Sequence, residues 1–413
     1  MRGNGVNMQN HMRTLAKHII IEALHTVIPK FKLHNSDWHH EEISVKGQQT
    51  FCGYYDLSPF SYNEKQILVH VAKKNANPAS DDITLGSYDL DTRDFTPICK
   101  TRSWCWQLGA RLGWLDRKQQ LVIANTQRTN SSGATIWEYR DQAFNKVQEI
   151  SMPVFDWSSQ AGLGSSLNFT RLGHQRPGYG FENVGVSNSH LKAPGDDGVL
   201  VVDLNNDTHE LVLSLAEAAK ITCKPNDAFS YINHQSWNPS GTRLLFFVVN
   251  QSEGVRRSHA MVIDPNGENL WLLDQSQFVN VSHYRWVSDS EFILTTTTRD
   301  HGFSYFLIKD KGKISDHIRL PAPLIDGHPS LMPDEPQTIL TDSYPDRLNA
   351  QSLFTFDRYT GSQRIIAKFY SPPSFVADRK CDLHPRVSPS GKNICVDTCY
   401  AGQRNISMLT YDC

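Results

Sequence analysis

The sequence contains no hydrophobic run that could cross a bilayer, because no window of about 18 residues is continuously apolar. Basic residues are not in excess either: 41 Lys and Arg stand against 43 Asp and Glu, for a formal net charge of −2. A nucleic-acid-binding surface needs clustered basic residues, and a secretory signal needs an apolar segment that residues 1–10 lack. We therefore predict a cytoplasmic protein that neither spans a membrane nor binds nucleic acid.

Paired cysteine motifs are missing too. The eight cysteines are scattered along the chain, and no CxxC pair recurs at zinc-finger spacing. In a chain of 413 residues this distribution is typical of reduced, mostly buried thiols in a cytosolic protein. The composition, with 39% hydrophobic and 20% charged residues, is ordinary for a globular protein. The fold must therefore be inferred from the residue pattern.

What the sequence does contain is a repeat: a His, two further residues, a bulky residue and a turn that leads into a strand. It occurs four times, at His234, His283, His328 and His384. Self-similarity at a period of roughly 40–50 residues indicates a propeller or a solenoid. Together with aromatic-Asp or aliphatic-Asp pairs that end strands, the repeat predicts seven units. They cover approximately 53–104, 105–152, 153–222, 229–278, 280–320, 326–372 and 381–413.

The last unit ends after its third strand, so another part of the chain must supply its fourth. The segment Glu42–Phe51 precedes the first unit and is spare. Pairing it with the last unit closes the ring and removes open edges. We therefore predict an all-β, seven-bladed β-propeller over residues 42–413, closed by an N-terminal strand, with residues 1–41 as an N-terminal helical extension.

Residues 11–28 are predicted to form an amphipathic helix. Apolar residues follow the i, i+3, i+4 spacing, and Pro29 stops the run. One interpretation is a helix that packs on the main domain. The other is peripheral contact of this weakly basic helix with a membrane surface or a protein partner.

The repeat brings its histidines to one end of the predicted channel. Equivalent inner-strand positions of different blades meet in space, and the same alignment places Arg111 of the second unit beside them. A single His at such a position is often a structural hydrogen-bonding residue, and shared ancestry could copy one. Converging imidazoles also suit a divalent metal site or an acid–base site. An insertion at 168–195 carries Arg176 and Tyr179, and loops of this length are often functional.

The stretches His234–Gly241 and His384–Gly391 resemble the repeat of TolB-like propellers. Over residues 50–413 the chain is similar to the seven-bladed polysaccharide lyases, above all the oligogalacturonide lyases. This resemblance implies that His234 is the base and that His283 and His384 bind a divalent metal. We add His328 as a further predicted ligand. The metal would be Mn, Zn or Ca, and the partner an acidic oligosaccharide.

The chain departs from that family in its last blade. His384-Pro385-Arg386 stands where the family has a His-x-His pair, and Cys381 stands in the place of a preceding Gln. The motif Gly53-Tyr54-Tyr55-Asp56 is also similar to uncharacterised propellers of bacterial surface-polysaccharide loci. That second resemblance carries no established activity.

β-Elimination on a uronate requires a neutralised carboxylate, a base for the C5 proton and a protonated leaving oxygen. The catalytic residues predicted for these steps are His234, Arg111 and Tyr179, and the predicted substrate-binding residues are Arg176, Gln235 and Tyr55. The leading hypothesis is a metal-assisted lyase that acts on a uronate-containing oligo- or polysaccharide. The alternative is a non-catalytic propeller that binds a glycan or a protein in bacterial surface-polysaccharide biosynthesis.

Overall fold

The computed structural model describes residues 14, 16–181, 188, 190–223, 228–298, 302–312, 314–318, 326–333 and 335–412. These residues form seven antiparallel sheets, which are the blades of a propeller. Blade 1 consists of Gln49–Phe51, Gln66–Ala72, Ile83–Asp89 and Phe95–Thr101. Blade 2 consists of Gly113–Asp116, Leu121–Gln127, Ser132–Arg140 and Ala143–Ile150. Blade 3 consists of Asp156–Ser158, Leu163–Ser166, Gly198–Asp203 and Thr208–Ser214.

The remaining blades follow in chain order. Blade 4 consists of Phe229–Trp237, Leu244–Ser252, Val255–Ile263 and Trp271–Leu272. Blade 5 consists of Phe278–Trp286, Glu291–Thr298, Gly302–Lys309 and Ile314–Ile318. Blade 6 consists of Ser330–Met332, Glu335–Asp342, Ala350–Asp357 and Gln363–Tyr370, with Phe31–Leu33 added at its outer edge. Blade 7 consists of Arg386–Val387, Asn393–Thr398, Asn405–Tyr411 and Trp38–Ile43. The predicted seven-bladed fold is confirmed.

The ring is closed by an N-terminal strand, as predicted, but not by the predicted residues. Trp38–Ile43 pairs antiparallel with Asn405–Tyr411. Most of the predicted segment Glu42–Phe51 instead forms a 3-10 turn, Val45–Gly47, and the channel strand of blade 1, Gln49–Phe51. The closing strand has four consecutive polar residues between Trp38 and Ile43, so no apolar alternation indicated it. The division of the chain at residue 42 stays a prediction.

Blades pack face to face, and their central strands are therefore buried on both sides. Leu244–Ser252 is an example, with its first seven residues buried. Such strands read as continuous apolar runs instead of alternating ones. Burial of each large side chain contributes about 1.5–3 kcal/mol, so the packing between blades supplies the main stabilisation of the ring.

The N-terminal helix spans residues 16–24, and residues 1–13 and 15 of the predicted extension lie outside the described residues. It packs through Ile21 and His25, whose Nε2 lies 2.9 Å from the Leu348 carbonyl oxygen. Ile19 and Ile20, two members of the apolar periodicity, are 60% and 59% exposed. The His25 contact with blade 6 decides this orientation, and a partner for the exposed face stays a prediction.

Three further short helices connect the strands: Phe169–Gln175, Leu215–Thr222 and the 3-10 turn Ala377–Arg379. The first belongs to the predicted insertion, which lies between the second and third strands of blade 3. Among the described residues, no helix has both the length and the apolar character that crossing a bilayer requires.

Candidate functional site

The repeat position of the sequence corresponds to an unusual backbone conformation. Arg111, His234 and His384 have φ angles of 53°, 51° and 48°. These angles lie in the left-handed region, which residues other than glycine rarely adopt. His234 also lies in a β-bulge, where the pairing of the channel strand with its neighbour skips one residue. Such a conformation costs about 1–3 kcal/mol and is concentrated at functional sites. Bulges re-aim a side chain, here towards the channel.

All four predicted histidines are buried, and they converge. The ring centroids of His328 and His384 are 4.4 Å apart, and those of His283 and His328 are 4.1 Å apart. His234 lies next to this group, 6.2 Å from His283. Tyr54 lies among them, with its ring 4.7 Å from His384 and 5.2 Å from His234.

Three of these imidazoles are held through Nδ1 by acceptor atoms. His328 donates from Nδ1 to Asp342 Oδ1 at 2.8 Å, and His283 donates to Asp326 at 3.0 Å. His384 donates to the Gly53 carbonyl oxygen at 2.9 Å. In the neutral form of each ring, an acceptor at Nδ1 keeps the proton there and leaves a lone pair on Nε2.

Asp342 holds two blades in register at the site. Its carboxylate also accepts hydrogen bonds from the backbone N–H of His328, at 2.8 Å, and of His384, at 3.1 Å. It reaches them because the second strand of blade 6 brings its last residue beside His328.

A carboxylate completes a candidate metal site beside two of the histidines. His328, Asp382 and His384, which we call the ligand trio, offer ligand atoms that all lie within 4.8 Å of one another. Nε2 of both histidines is buried without a hydrogen-bond partner among the described residues. The Asp382 carboxylate is 1% exposed, and the Lys380 ammonium lies 3.0 Å from its Oδ1. Two imidazoles and a carboxylate fit a divalent transition-metal ion.

Burial disfavours the charged form of three of these imidazoles. Burial lowers the pKa of His384 well below its usual range, and the neighbouring His328 and Arg386 act in the same direction. Burial, with the charge of Arg176 next in size, lowers the pKa of His234 in the same way. Burial also lowers the pKa of His283, against the opposing effect of Asp326. Neutral rings are the form that binds a metal or accepts a proton.

The polar groups of three predicted site residues bind other parts of the fold, although the Tyr55 ring itself lies 5.1 Å from the His328 ring. Arg111 forms a bidentate ion pair with Asp56, at 2.9 Å for both contacts, and donates from Nε to the Phe155 carbonyl oxygen. The Tyr55 hydroxyl donates to the Tyr284 carbonyl oxygen at 2.7 Å. Gln235 is fully buried and donates to a backbone carbonyl oxygen of blade 3. The repeat alignment gave their positions but not their partners.

The insertion places its two predicted residues beside the histidines. Arg176 stacks on Tyr179, with its guanidinium carbon 3.7 Å from the ring centroid. The Tyr179 ring lies edge-on to His234 at 6.5 Å, and both insertion side chains are half-buried. The helix Phe169–Gln175 supports this arrangement. Its Arg171 donates to the backbone carbonyl oxygens of Ser230 in blade 4 and of Leu191 in the insertion.

Sequence reasoning assigned no role in the site to Asp382, Asp342 or Tyr54, although it placed Asp382 near His384. Asp382 carries a local signal, because an Asp two residues before a channel His extends from the same segment. Asp342 and Tyr54 carry none, since strand pairing and ring closure alone bring them to His328 and His384.

Comparison with known proteins supports the fold. No protein-family model matches the sequence, and the search of curated proteins found no match. The chain is similar to the crystal structure of oligogalacturonate lyase from Vibrio parahaemolyticus, with a TM-score of 0.62 and 10% identity over 92% of this chain and 96% of the other. It is also similar to an oligogalacturonate lyase in complex with manganese, with a TM-score of 0.62 and 12% identity over 90% and 93%. At these identities, what the chain shares with both structures is the seven-bladed propeller fold.

Proposed function

We propose that the protein is a metal-assisted lyase that cleaves a uronate-containing oligo- or polysaccharide by β-elimination. The observation that carries the proposal is the ligand trio, whose two imidazole lone pairs converge with a buried carboxylate. The similar fold of an oligogalacturonate lyase that binds manganese supports it. The substrate we infer is an acidic oligosaccharide.

The donor set narrows the choice of metal. Two imidazole nitrogens favour Mn²⁺ or Zn²⁺ over Ca²⁺, which prefers oxygen ligands throughout. A divalent cation held by the ligand trio would neutralise the uronate carboxylate and stabilise the enolate-like charge. His283 is outside the trio, and we assign its Nε2 lone pair to a substrate hydroxyl.

The remaining steps use side chains of this chain. We assign His234 as the base: with Nε2–H donated to the Tyr54 hydroxyl oxygen, 3.3 Å away, its Nδ1 lone pair takes the C5 proton. The C5–H and C4–O4 bonds break, and a C4=C5 double bond forms. Tyr179 donates a proton to the leaving O4, and Arg176 covers the substrate. Arg111 is assigned a structural role, because Asp56 already occupies its guanidinium.

The test is a spectrophotometric assay on a panel of uronate oligosaccharides with added Mn²⁺. The unsaturated product absorbs in the ultraviolet, so we expect absorbance to increase with the wild-type protein. His234→Ala should abolish the increase while Mn²⁺ binding, measured by calorimetry, is kept. His259→Ala, a half-buried His in the third strand of blade 4, is the matched control and should retain activity.

Two results would contradict the proposal. One is an absence of ultraviolet product from every uronate tested while calorimetry detects glycan binding, which is the outcome expected of a non-catalytic glycan-binding propeller. The other is activity that is unaffected by His234→Ala.

A further inference from the structure

A cavity lies between blades 3, 4 and 5, away from the ligand trio. It has a volume of about 270 Å³, and its wall includes Asp156, Trp157, Trp237, Arg285 and Trp286. This volume is close to the lower limit of about 300 Å³ for ligand pockets, so the cavity admits one small ligand but not a chain of sugars.

The cavity is separated from the histidines along the channel strands. On blade 4, Trp237 follows His234 by three residues, which in a strand corresponds to about 10 Å. On blade 5, the fully buried Tyr284 lies between His283 and Arg285. Within the described parts of the chain, none of the four predicted histidines lines the cavity. The cavity is therefore a different site from the one that we assign to the uronate.

One polar group of the cavity wall lacks the partner that its counterparts have. Four consecutive blades carry a Trp at or near the end of the channel strand, namely Trp114, Trp157, Trp237 and Trp286. In Trp114, Trp157 and Trp286, Nε1 donates to a carbonyl oxygen of the preceding blade, at 2.8, 3.2 and 3.0 Å. Trp237 is only 5% exposed, yet its Nε1 has no hydrogen-bond partner among the described residues. A buried indole N–H usually has an acceptor, so this one favours a ligand that supplies an oxygen atom.

The charged groups around the cavity have both signs. Asp56 and Asp156 contribute carboxyl groups, and Arg285 contributes a guanidinium that forms no ion pair within the part of the chain that the structure describes. The Asp56 carboxylate is paired with Arg111, and Asp156 Oδ2 accepts the Trp237 backbone N–H at 2.8 Å. Carboxyl groups disfavour an anionic ligand, and guanidinium groups disfavour a cationic one. The wall therefore favours an uncharged ligand that has both hydrogen-bond donors and acceptors.

We propose that this cavity binds one uncharged sugar ring. Sugar hydroxyls both donate and accept hydrogen bonds, so they pair with the Trp237 Nε1–H, the Arg285 guanidinium and the Asp156 carboxyl group. The half-buried Trp157 ring offers an apolar face to the C–H face of the sugar. This inference goes beyond the proposed function, because the site needs neither a metal nor an elimination reaction.

Ligand-observed NMR and calorimetry with galactose, glucose and mannose test the site, with the full-length protein in EDTA so that no divalent metal contributes. We expect at least one of these sugars to show saturable binding to the wild-type protein. Trp237→Phe keeps an aromatic ring but removes the N–H, and it should weaken that binding about fivefold, the effect of losing one hydrogen bond. Trp114→Phe is the matched control. Its N–H already donates to the protein and it does not line the cavity, so sugar binding should be unchanged.

Ser159→Trp tests the position of the sugar without altering the buried Trp237. Ser159 is an exposed residue of the cavity wall, so a bulky side chain there should keep the fold and obstruct the cavity. Sugar binding should weaken by more than about tenfold. Ser131→Trp, in an exposed loop of blade 2, is the control and should bind the sugar as the wild type does.

Two results would overturn the site. One is that none of the three sugars binds, and the other is that Ser159→Trp binds as the wild type does while His384→Ala does not, which would place the sugar at the ligand trio. Sugar binding that depends on Trp237 and Ser159, without ultraviolet product from any uronate, would support this site and remove the lyase. Ultraviolet product from a protein that binds no uncharged sugar would keep the lyase and remove this site.

Discussion

Two buried polar clusters lie along the same channel and differ in whether their polar atoms have partners. The ion-pair cluster consists of Arg111, Asp56 and Asp156, and its guanidinium is paired on both nitrogens with Asp56. In the ligand trio, the Nε2 atoms of His328 and His384 lack hydrogen-bond partners among the described residues.

Both clusters begin from the same repeat position. Arg111 and His384 share the left-handed backbone that directs a side chain into the channel. The repeat position therefore determines where the side chain points. The neighbouring blades decide whether its polar atoms find hydrogen-bond or ion-pair partners there. We infer that the ion-pair cluster, whose guanidinium has a carboxylate partner, holds neighbouring blades together. We infer that the ligand trio, whose Nε2 atoms lack protein partners among the described residues, binds a ligand. Each prediction below tests this difference.

The largest effect is expected from breaking the ion-pair cluster. Arg111→Met leaves the Asp56 carboxylate buried, with a side chain only 7% exposed, and without its partner. Loss of one member of a buried pair costs about 3–5 kcal/mol, which urea unfolding measures as a lower free energy of unfolding. Arg102→Met is the control, because its pair with Asp82 is about half exposed and should contribute less than about 1 kcal/mol. Equal losses in the free energy of unfolding for the two substitutions would contradict a role of the ion-pair cluster in holding the blades together.

The ligand trio should behave in the opposite way. His384→Ala removes one metal ligand, and we expect Mn²⁺ affinity, measured by calorimetry, to decrease by more than about 100-fold. Removal of an outer partner alone typically costs 10- to 100-fold. The loss in free energy of unfolding should be smaller than for Arg111→Met. His259→Ala should leave Mn²⁺ affinity unchanged, and a similar decrease in both variants would argue against the site.

The smallest effect concerns Asp156 and pH. Burial, with the charge of Asp56 next, raises the pKa of Asp156 to about 7. A raised carboxyl pKa means that the unfolded chain releases its proton first, so this group reduces stability as pH increases from about 4 to 7. Asp156→Asn should match wild type near pH 4 and exceed its free energy of unfolding by about 2 kcal/mol near pH 5.5. The exposed Asp141→Asn should show no such pH-dependent difference in urea unfolding.

Much of the fold was predictable because blades repeat. The spacing of the four histidines and of the strand-ending Asp residues predicted the number of blades. It also predicted that an N-terminal strand completes the last blade. The closing strand was misplaced, because Trp38–Ile43 has no alternating pattern. The apolar periodicity did not determine the orientation of the helix at residues 16–24, which packs on the ring through the contact of His25 with Leu348.

The sequence by itself determined that four imidazoles occupy equivalent positions of a propeller, because the repeated motif places its His at the same point of each inner strand. Only the tertiary structure decided what each one does. His328 and His384 have lone pairs directed by Asp342 and Gly53, whereas Arg111 at the same position is neutralised by Asp56. Partners such as Asp342 and Tyr54 come from other strands, and their distance from a histidine is fixed by strand pairing and ring closure.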